Sequence, residues 1–280
     1  MRSVGVAEIE AAVEKLCIEA NIYLNNDIKD ALVRGIEKER SDTGRSILES
    51  LVKNAEIAAQ EGLAICQDTG MTVVFIELGQ SVRITGGSLE EAVNSGVRKG
   101  YKKGYLRNSV VSDPIRRINT GDNTPAIIHY EIINGDSLTI HVAPKGFGSE
   151  NMSVLKMLKP SDGIEGVKKT VIDAVSQAGA NPCPPVIVGV GIGGTMEKAA
   201  IMSKKALLRP IDRSNPDPYY KALEQELLES INKLGIGPAG LGGCITALGV
   251  NIETFPTHIA GLPVAVNIGC HVTRHGSITL

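Results

Sequence analysis

The chain has 280 residues, 42% of them hydrophobic, and 29 Lys+Arg against 31 Asp+Glu give a formal net charge of −2. That is enough apolar material for one large domain or two modest ones, and it lacks the clustered basic excess of a nucleic-acid footprint. The opening stretch MRSVGVAEIEAAVEKLCIEA places acids where a signal sequence needs an apolar core, and the longest nearly unbroken apolar run, PPVIVGVGIGG (184–194), is too short and glycine-rich to span a bilayer. A soluble, cytoplasmic protein with neither a membrane nor a nucleic-acid partner is the expectation.

Residues 7–24 carry Ile9, Val13, Leu16, Cys17 and Ala20 at helical spacing, which predicts an amphipathic helix. Asn25-Asn26-Asp27 breaks it and can cap a second helix with Ile28, Ala31, Leu32 and Ile36 on one face. A third is expected from about Thr43 to Gln60. The period then changes: residues 71–85 read as two strands around Gly79, and Ser88 caps a helix running to about Lys103. Residues 104–124, GYLRNSVVSDPIRRINTGDNT, are polar and hold Pro and Gly, which predicts a long functional loop. AIIHYEII and SLTIHVAP follow, joined by Asn134-Gly135-Asp136, and Asn-Gly between two β-like runs predicts a hairpin. After the glycine loop PKGFGSENMS (144–153) come a helix over 161–179 capped by Ser161, the strand PVIVGVGIG, helices at 195–208 and about 217–234, and a glycine stretch, GIGPAGLGGCITALGV (235–250), leading into a strand. No repeat or linker interrupts this. The fold class expected is mixed α/β, α+β-like: N-terminal helices, then a mixed, partly antiparallel sheet with flanking helices. One domain over 1–280 is expected, helical to about residue 62 and α/β from about 63.

The five cysteines are Cys17, Cys66, Cys183, Cys244 and Cys270. An odd, scattered set in a reducing compartment does not suggest disulfides. Cys17 lies on the apolar face of its helix, as a core thiol would. Cys244 sits in a glycine-rich turn without polar company. Cys66, Cys183 and Cys270 differ: each lies in a turn beside a strand, in ICQDTG, NPCPPV and NIGCHV. A catalytic cysteine needs one such loop, and a structural zinc wants four ligands in close pairs. Three separate thiols fit an iron–sulfur cluster with one iron not held by cysteine, although the spacing leaves all these readings open. Gly189, Gly191 and Gly194 match the dinucleotide fingerprint, but no second strand ending in an acid follows at the required distance, so close backbone packing is the better reading. Arg107, Arg116 and Arg117 lie in the long loop. For the last two, a solvated basic loop is the reading preferred.

ICQDTG, NTGDNTPAIIH, PKGFGSENMS, NPCPPVIVGVGIGGT, KALLR, LGIGPAGLGG and THIAGLPVAVNIGCHVTRH occur in this order over nearly the whole chain. Together they resemble the class I fumarases, specifically the α subunit of the two-subunit form, a family that includes the L(+)-tartrate dehydratase α subunit. The resemblance implies a [4Fe-4S] cluster held by Cys66, Cys183 and Cys270. It implies that Gln67, Asp68, Arg107, the loop at Gly148, and His258 face the substrate, with Asp68 moving a proton. Fumarate hydration to L-malate is the activity expected, with tartrate dehydration as the alternative and a non-catalytic iron–sulfur scaffold behind both. Single-chain members carry a further C-terminal domain, whereas this sequence ends at Leu280. A separate β subunit is therefore expected, in an α2β2 assembly.

Overall fold

The computed structural model describes residues 2–280 as a mixed α/β fold. Its contacts divide the chain into two compact units, each assembled from separated stretches. The first takes the residues up to Leu24, Ala55–Phe147 and Arg274–Leu280, and the second Asn25–Asn54 and Gly148–Thr273.

The first unit opens with strand β1 (Arg2–Gly5), which no sequence signal announced, and helix α1 (Val6–Ile22). Helix α3 (Asp42–Glu61) ends in this unit, having begun in the other. There follow β2 (Met71–Gly79), β3 (Val82–Thr85), α4 (Leu89–Lys103), β4 (Ile127–Ile133), β5 (Leu138–Lys145) and β10 (Gly276–Thr279). Ser88 caps α4 as expected, its hydroxyl accepting from Glu91 N at 3.3 Å. Helices α1 and α4 approach closely because Gly96 and Gly100 face Val13 and Cys17; a Cβ at either would stand under 3 Å from those side chains. Their apolar faces bury Leu138, Ile140 and Val142 of β5, alternate residues of a strand whose other side is less buried.

The predicted hairpin is corrected by the structure. Strands β4 and β5 run in opposite directions but do not pair. The sheet order is β10-β5-β2-β4, with β2 parallel to β4 and antiparallel to β5. The Asn134–Ser137 turn reverses the chain as its sequence demands, but it passes over the end of β2. Gly79 N donates to Ser137 O and Ser81 N to Gly135 O, both at 2.9 Å. The slot between β4 and β5 goes to VVFI of β2, whose Val73–Ile76 are all buried; burial on both faces outweighs local turn chemistry. Strand β3 joins β1 in a separate parallel pair.

The second unit contains α2 (Asn26–Lys38), the start of α3, the short helix α5 (Phe147–Glu150), β6 (Val154–Leu158), α6 (Gly163–Ala178), β7 (Val186–Gly193), α7 (Met196–Ala206), α8 (Pro218–Asn232), β8 (Ala247–Phe255) and β9 (Leu262–Gly269). The expected Ser161 cap is displaced: a 3-10 turn occupies Pro160–Asp162, and Asp162 stands at the start of α6. The sheet order is β6-β9-β7-β8, with only β7 and β8 parallel. Every residue of β7 is buried, because helices cover both faces. Val186, Val188, Val190 and Ile192 meet α6 and α8. On the other face Gly189 and Gly191 meet α7, where a Cβ would lie 2.1 Å from Ser203 O and Ala199 O. Close helix–strand packing, as expected, accounts for these two glycines.

Candidate functional site

In the first unit the CQDTG turn links α3 to β2, and the carbonyls of Asp68, Thr69 and Gly70 all accept from side chains. Ile65 N donates to Asn21 O at 2.9 Å. The buried Tyr101 of α4 shares its hydroxyl proton between Thr69 O (2.8 Å) and Gly70 O (3.0 Å), and burial pushes its phenol pKa upward. Asn123, wholly buried, donates to Gly70 O at 3.2 Å and accepts from Ser109 N at 2.7 Å. Arg274, 3% exposed, donates from Nη2 to Asp68 O and from Nε to Pro144 O at 3.4 Å. Buried carbonyls are thus supplied with donors from side chains where no ladder can reach.

Four of the predicted residues, Cys66, Gln67, Asp68 and Arg107, are brought together here. Cys66 is half-buried, with its thiol 3.6 Å from Gln67 Oε1. Asp68 accepts from Gly70 N at 3.0 Å through Oδ1 and from Phe147 N at 2.9 Å through Oδ2. Gly146 leaves room for this carboxylate, since a Cβ there would stand 3.0 Å from Asp68 Oδ2. Arg107 joins them because Thr69 Oγ1 accepts from Arg107 N at 2.9 Å and donates to Arg107 O at 3.3 Å. Arg116 and Arg117 are exposed in the same loop, around a turn in which Asp113 accepts from Arg116 N.

In the second unit Cys183 and Cys270 stand at one end of the sheet, because Ile187 of β7 is registered with Gly269 of β9. Cys183 is exposed, adopts the left-handed φ of +54°, and precedes the cis bond Pro184–Pro185. A non-glycine residue in that region is held by its surroundings. Pro184 O accepts from Ala239 N at 2.8 Å, and Cys183 O accepts from His271 Nδ1 at 2.9 Å. A carbonyl can only accept, so this bond requires the proton on Nδ1. His271 follows Cys270, whose own carbonyl accepts from Thr273 Oγ1 at 2.7 Å.

Gly148 lies in the short helix α5, within the PKGFGSENMS loop before β6. A Cβ there would have only Asn181 O within 4 Å, at 3.6 Å, so the position has open space. The loop is seated by Glu150, whose carboxylate accepts from Lys204 Nζ at 2.6 and 2.7 Å and from Asn267 Nδ2 at 3.1 Å. His258 is not brought to Cys270. It sits in the turn before β9, whereas Cys270 follows the end of that strand. The eight residues of β9 separate them by roughly 26 Å at the usual rise per residue.

The other two cysteines are structural. Cys17 is wholly buried, which pushes its thiol pKa up to about 12. Cys244 donates from its thiol to Lys38 O at 3.3 Å, and its N–H bonds Glu39 at 3.0 Å. Glu39 is 3% exposed and accepts from Arg40, Ser41, Cys244 and Ile245 N. Burial raises its pKa, but these four donors win and hold the carboxyl below its ordinary value.

Among the described residues no three His, Cys, Asp or Glu side chains are grouped as for a single metal ion. The donor chemistry nevertheless fits a larger sulfur-bound group. Cys66, Cys183 and Cys270 lie in turns beside strands and are at least partly exposed. Cys244 shares both features, but its thiol and N–H are taken up by Lys38 O and Glu39; soft thiolates suit iron–sulfur clusters. Sequence reasoning missed what holds these segments: Tyr101 and Arg274 at the CQDTG turn, the bond from His271 to Cys183 O, and the Glu150–Lys204 pair at Gly148. The HVTRH segment after Cys270 offered a signal for two of them, because an arginine beside an apolar strand end needs carbonyls or acids to bond.

The chain matches the family described as Fumarate hydratase (Fumerase) over residues 10–279. It is 44% identical over 272 residues to the "Putative L(+)-tartrate dehydratase subunit alpha" of Methanocaldococcus jannaschii, covering 95% of each chain. It is 36% identical over 257 residues to the L(+)-tartrate dehydratase subunit alpha of Escherichia coli K12, covering 90% of this chain and 84% of the relative. The subunit of the same name from Shigella boydii serotype 4 is also 36% identical over 257 residues, with the same coverage.

Proposed function

The chain belongs to the fumarate hydratase (fumerase) family of hydro-lyases, and from that premise we propose that it is the α subunit of an iron–sulfur dehydratase whose substrate is L(+)-tartrate. The observation that carries the substrate reading is the 44% identity, over 95% of both chains, with a relative named for tartrate. This reverses the order expected from the sequence. Fumarate and L-malate are the second reading, favoured by the family description. A β subunit is the partner, as the relatives' names as alpha subunits suggest.

Cys66, Cys183 and Cys270 would hold the [4Fe-4S] cluster. When bound, it supplies a Lewis acid that helps a hydroxyl depart, an effect of several kcal/mol. The chain's own residues do the rest. Two backbone N–H groups fix the Asp68 carboxylate, and further lone pairs remain to take or give a proton at the substrate. Arg107, anchored through Thr69, offers a guanidinium fork to a substrate carboxylate. Gln67 orients the hydroxyl side, and the amides around Gly148 receive the second carboxylate. His258, a strand's length from Cys270, would serve the substrate only from a second chain.

The test is an anaerobic assay of the chain with its β subunit on L(+)-tartrate, L-malate and fumarate. A higher kcat/KM for tartrate is expected, and a preference for malate and fumarate would overturn the substrate assignment. Iron analysis of the separately purified α chain tests the ligands: Cys183→Ser should lose the iron, whereas Cys244→Ser should keep it. Full iron in Cys183→Ser removes that ligand.

A further inference from the structure

We infer that Asn123 is a positioning residue for the dehydration, its side chain aiming the Arg107 guanidinium relative to the Asp68 carboxylate. The inference rests on the reading that both groups face the substrate. Asn123 is wholly buried and bonds at three points. Its Oδ1 accepts from Ser109 N at 2.7 Å and from Val110 N at 3.2 Å, and its Nδ2 donates to Gly70 O at 3.2 Å. The first two bonds grip the chain just after Arg107, and the third grips the turn just after Asp68. One amide thus spans the two segments that carry the substrate-facing groups.

Arg107 is exposed, and Thr69 holds only its backbone. A chain held at one residue can still swivel about it. The bonds at Ser109 and Val110 remove that freedom and set the direction in which the loop leaves Arg107. The rest of the loop follows, because Asn108 Nδ2 donates to Gly121 O at 2.7 Å and Asn119 Nδ2 to Asn108 O at 3.0 Å.

Helix α4 supplies the common support. Asn94, Arg98 and Tyr101 stand at i, i+4 and i+7, on one stripe of the helix. Asn94 Oδ1 accepts from Ala126 N at 2.9 Å and Arg98 Nε donates to Asp122 Oδ2 at 2.9 Å, so the chain is held on both sides of Asn123. Tyr101 bonds the carbonyls of Thr69 and Gly70. Both segments are therefore referred to one rigid element. Asn123 has a φ of +61°, a region open to glycine and entered by asparagine and aspartate more often than by other residues. Glycine would satisfy that backbone; the amide adds the link between Arg107 and Asp68.

Asp68 is held independently, through Gly70 N and Phe147 N, and Gly70 O keeps its bond from Tyr101. Loss of the amide should misaim Arg107 and leave Asp68 in place. A carboxylate clamp serves the ground state and the transition state alike, so its loss falls on KM rather than kcat.

The test uses Asn123→Gly, which keeps the left-handed backbone and removes all three bonds. In the chain assembled with its β subunit, KM for whichever of L(+)-tartrate, L-malate and fumarate the wild type prefers should rise roughly tenfold, with kcat within about threefold. In an Arg107→Lys background, which has lost the guanidinium fork, the same substitution should change KM by less than about twofold. On the α chain alone, trypsin should cut faster after Arg107, with cutting after Lys169 of α6 and the iron content unchanged. Should Asn123→Gly not fold, Asn123→Asp, which replaces only the donor to Gly70 O, should give a smaller rise in KM with the same dependence on Arg107. An unchanged KM, an equal effect in the Arg107→Lys background, or unchanged cutting after Arg107 would each overturn the inference. A wild type that turns over none of the three acids would overturn the dehydratase reading instead, and the trypsin comparison would still decide whether Asn123 holds Arg107.

Discussion

The two units fix their thiol-bearing turns by different physics. In the first, the CQDTG turn hangs on side chains: Tyr101, Asn123 and Arg274 deliver donors to its carbonyls, and Thr69 and Asp68 bind its flanking loops. In the second, Cys183 and Cys270 extend directly from β7 and β9, strands buried among helices, and one histidine bond ties the two turns. A turn held by side-chain bonds can be released one bond at a time. A turn held by a packed sheet moves only if the sheet does.

The difference can be broken by substitution, and the largest effect is expected in the sheet. Gly191→Ala places a methyl 2.1 Å from Ala199 O, a backbone clash that no rotamer change relieves. A loss of at least about 3 kcal/mol is expected, read as a lower urea midpoint. Native stability in that variant would show that α7 is not pressed onto β7.

Arg274→Met should lower stability by about 3 kcal/mol, since two hydrogen bonds from a buried charge are lost. More telling is the thiol pattern: alkylation of Cys66 should accelerate while that of Cys183 stays the same. Equal acceleration at both would erase the distinction between the units.

Glu39→Gln tests a polar clamp within the sheet-held unit and should cost about 2 kcal/mol near neutrality. The sign with pH follows from the folded carboxyl lying below its ordinary value of 4.5. The wild type has this stabilisation in full above that value and loses it as pH falls through the folded pKa. The gap between wild type and variant should therefore close on acidification below about 4.5 and stay constant at higher pH. A gap independent of pH throughout would mean the charge of Glu39 contributes nothing.

Tyr101→Phe is the mildest. It removes one hydroxyl shared by two carbonyls of the turn while keeping the ring, so about 1 kcal/mol is expected, with faster alkylation of Cys66 and no change at Cys270.

Much of the secondary structure was determined by the sequence alone, because it follows from local rules. Apolar period and caps located α1–α4 and α6–α8, within a few residues at their ends. The unbroken apolar run of β7 and the alternation in β5 marked those strands. The separation of Cys66, Cys183 and Cys270 from Cys17 was also readable, since Cys17 recurs on a helical stripe and the others adjoin strands. Tertiary structure alone decided which strands are neighbours. Asn134-Gly135 fixes a chain reversal, but only burial of β2 between β4 and β5 determines the pairing. It also decided the partners of Arg274 and His271, which bond carbonyls 206 and 88 residues away in the sequence. It set His258 and Cys270 at opposite ends of β9, although only 12 residues separate them in the sequence. Local propensity acts within a turn or two of chain. Strand order and buried polar bonds depend on which distant groups compete for the same dry space, and that competition is settled only when the whole chain packs.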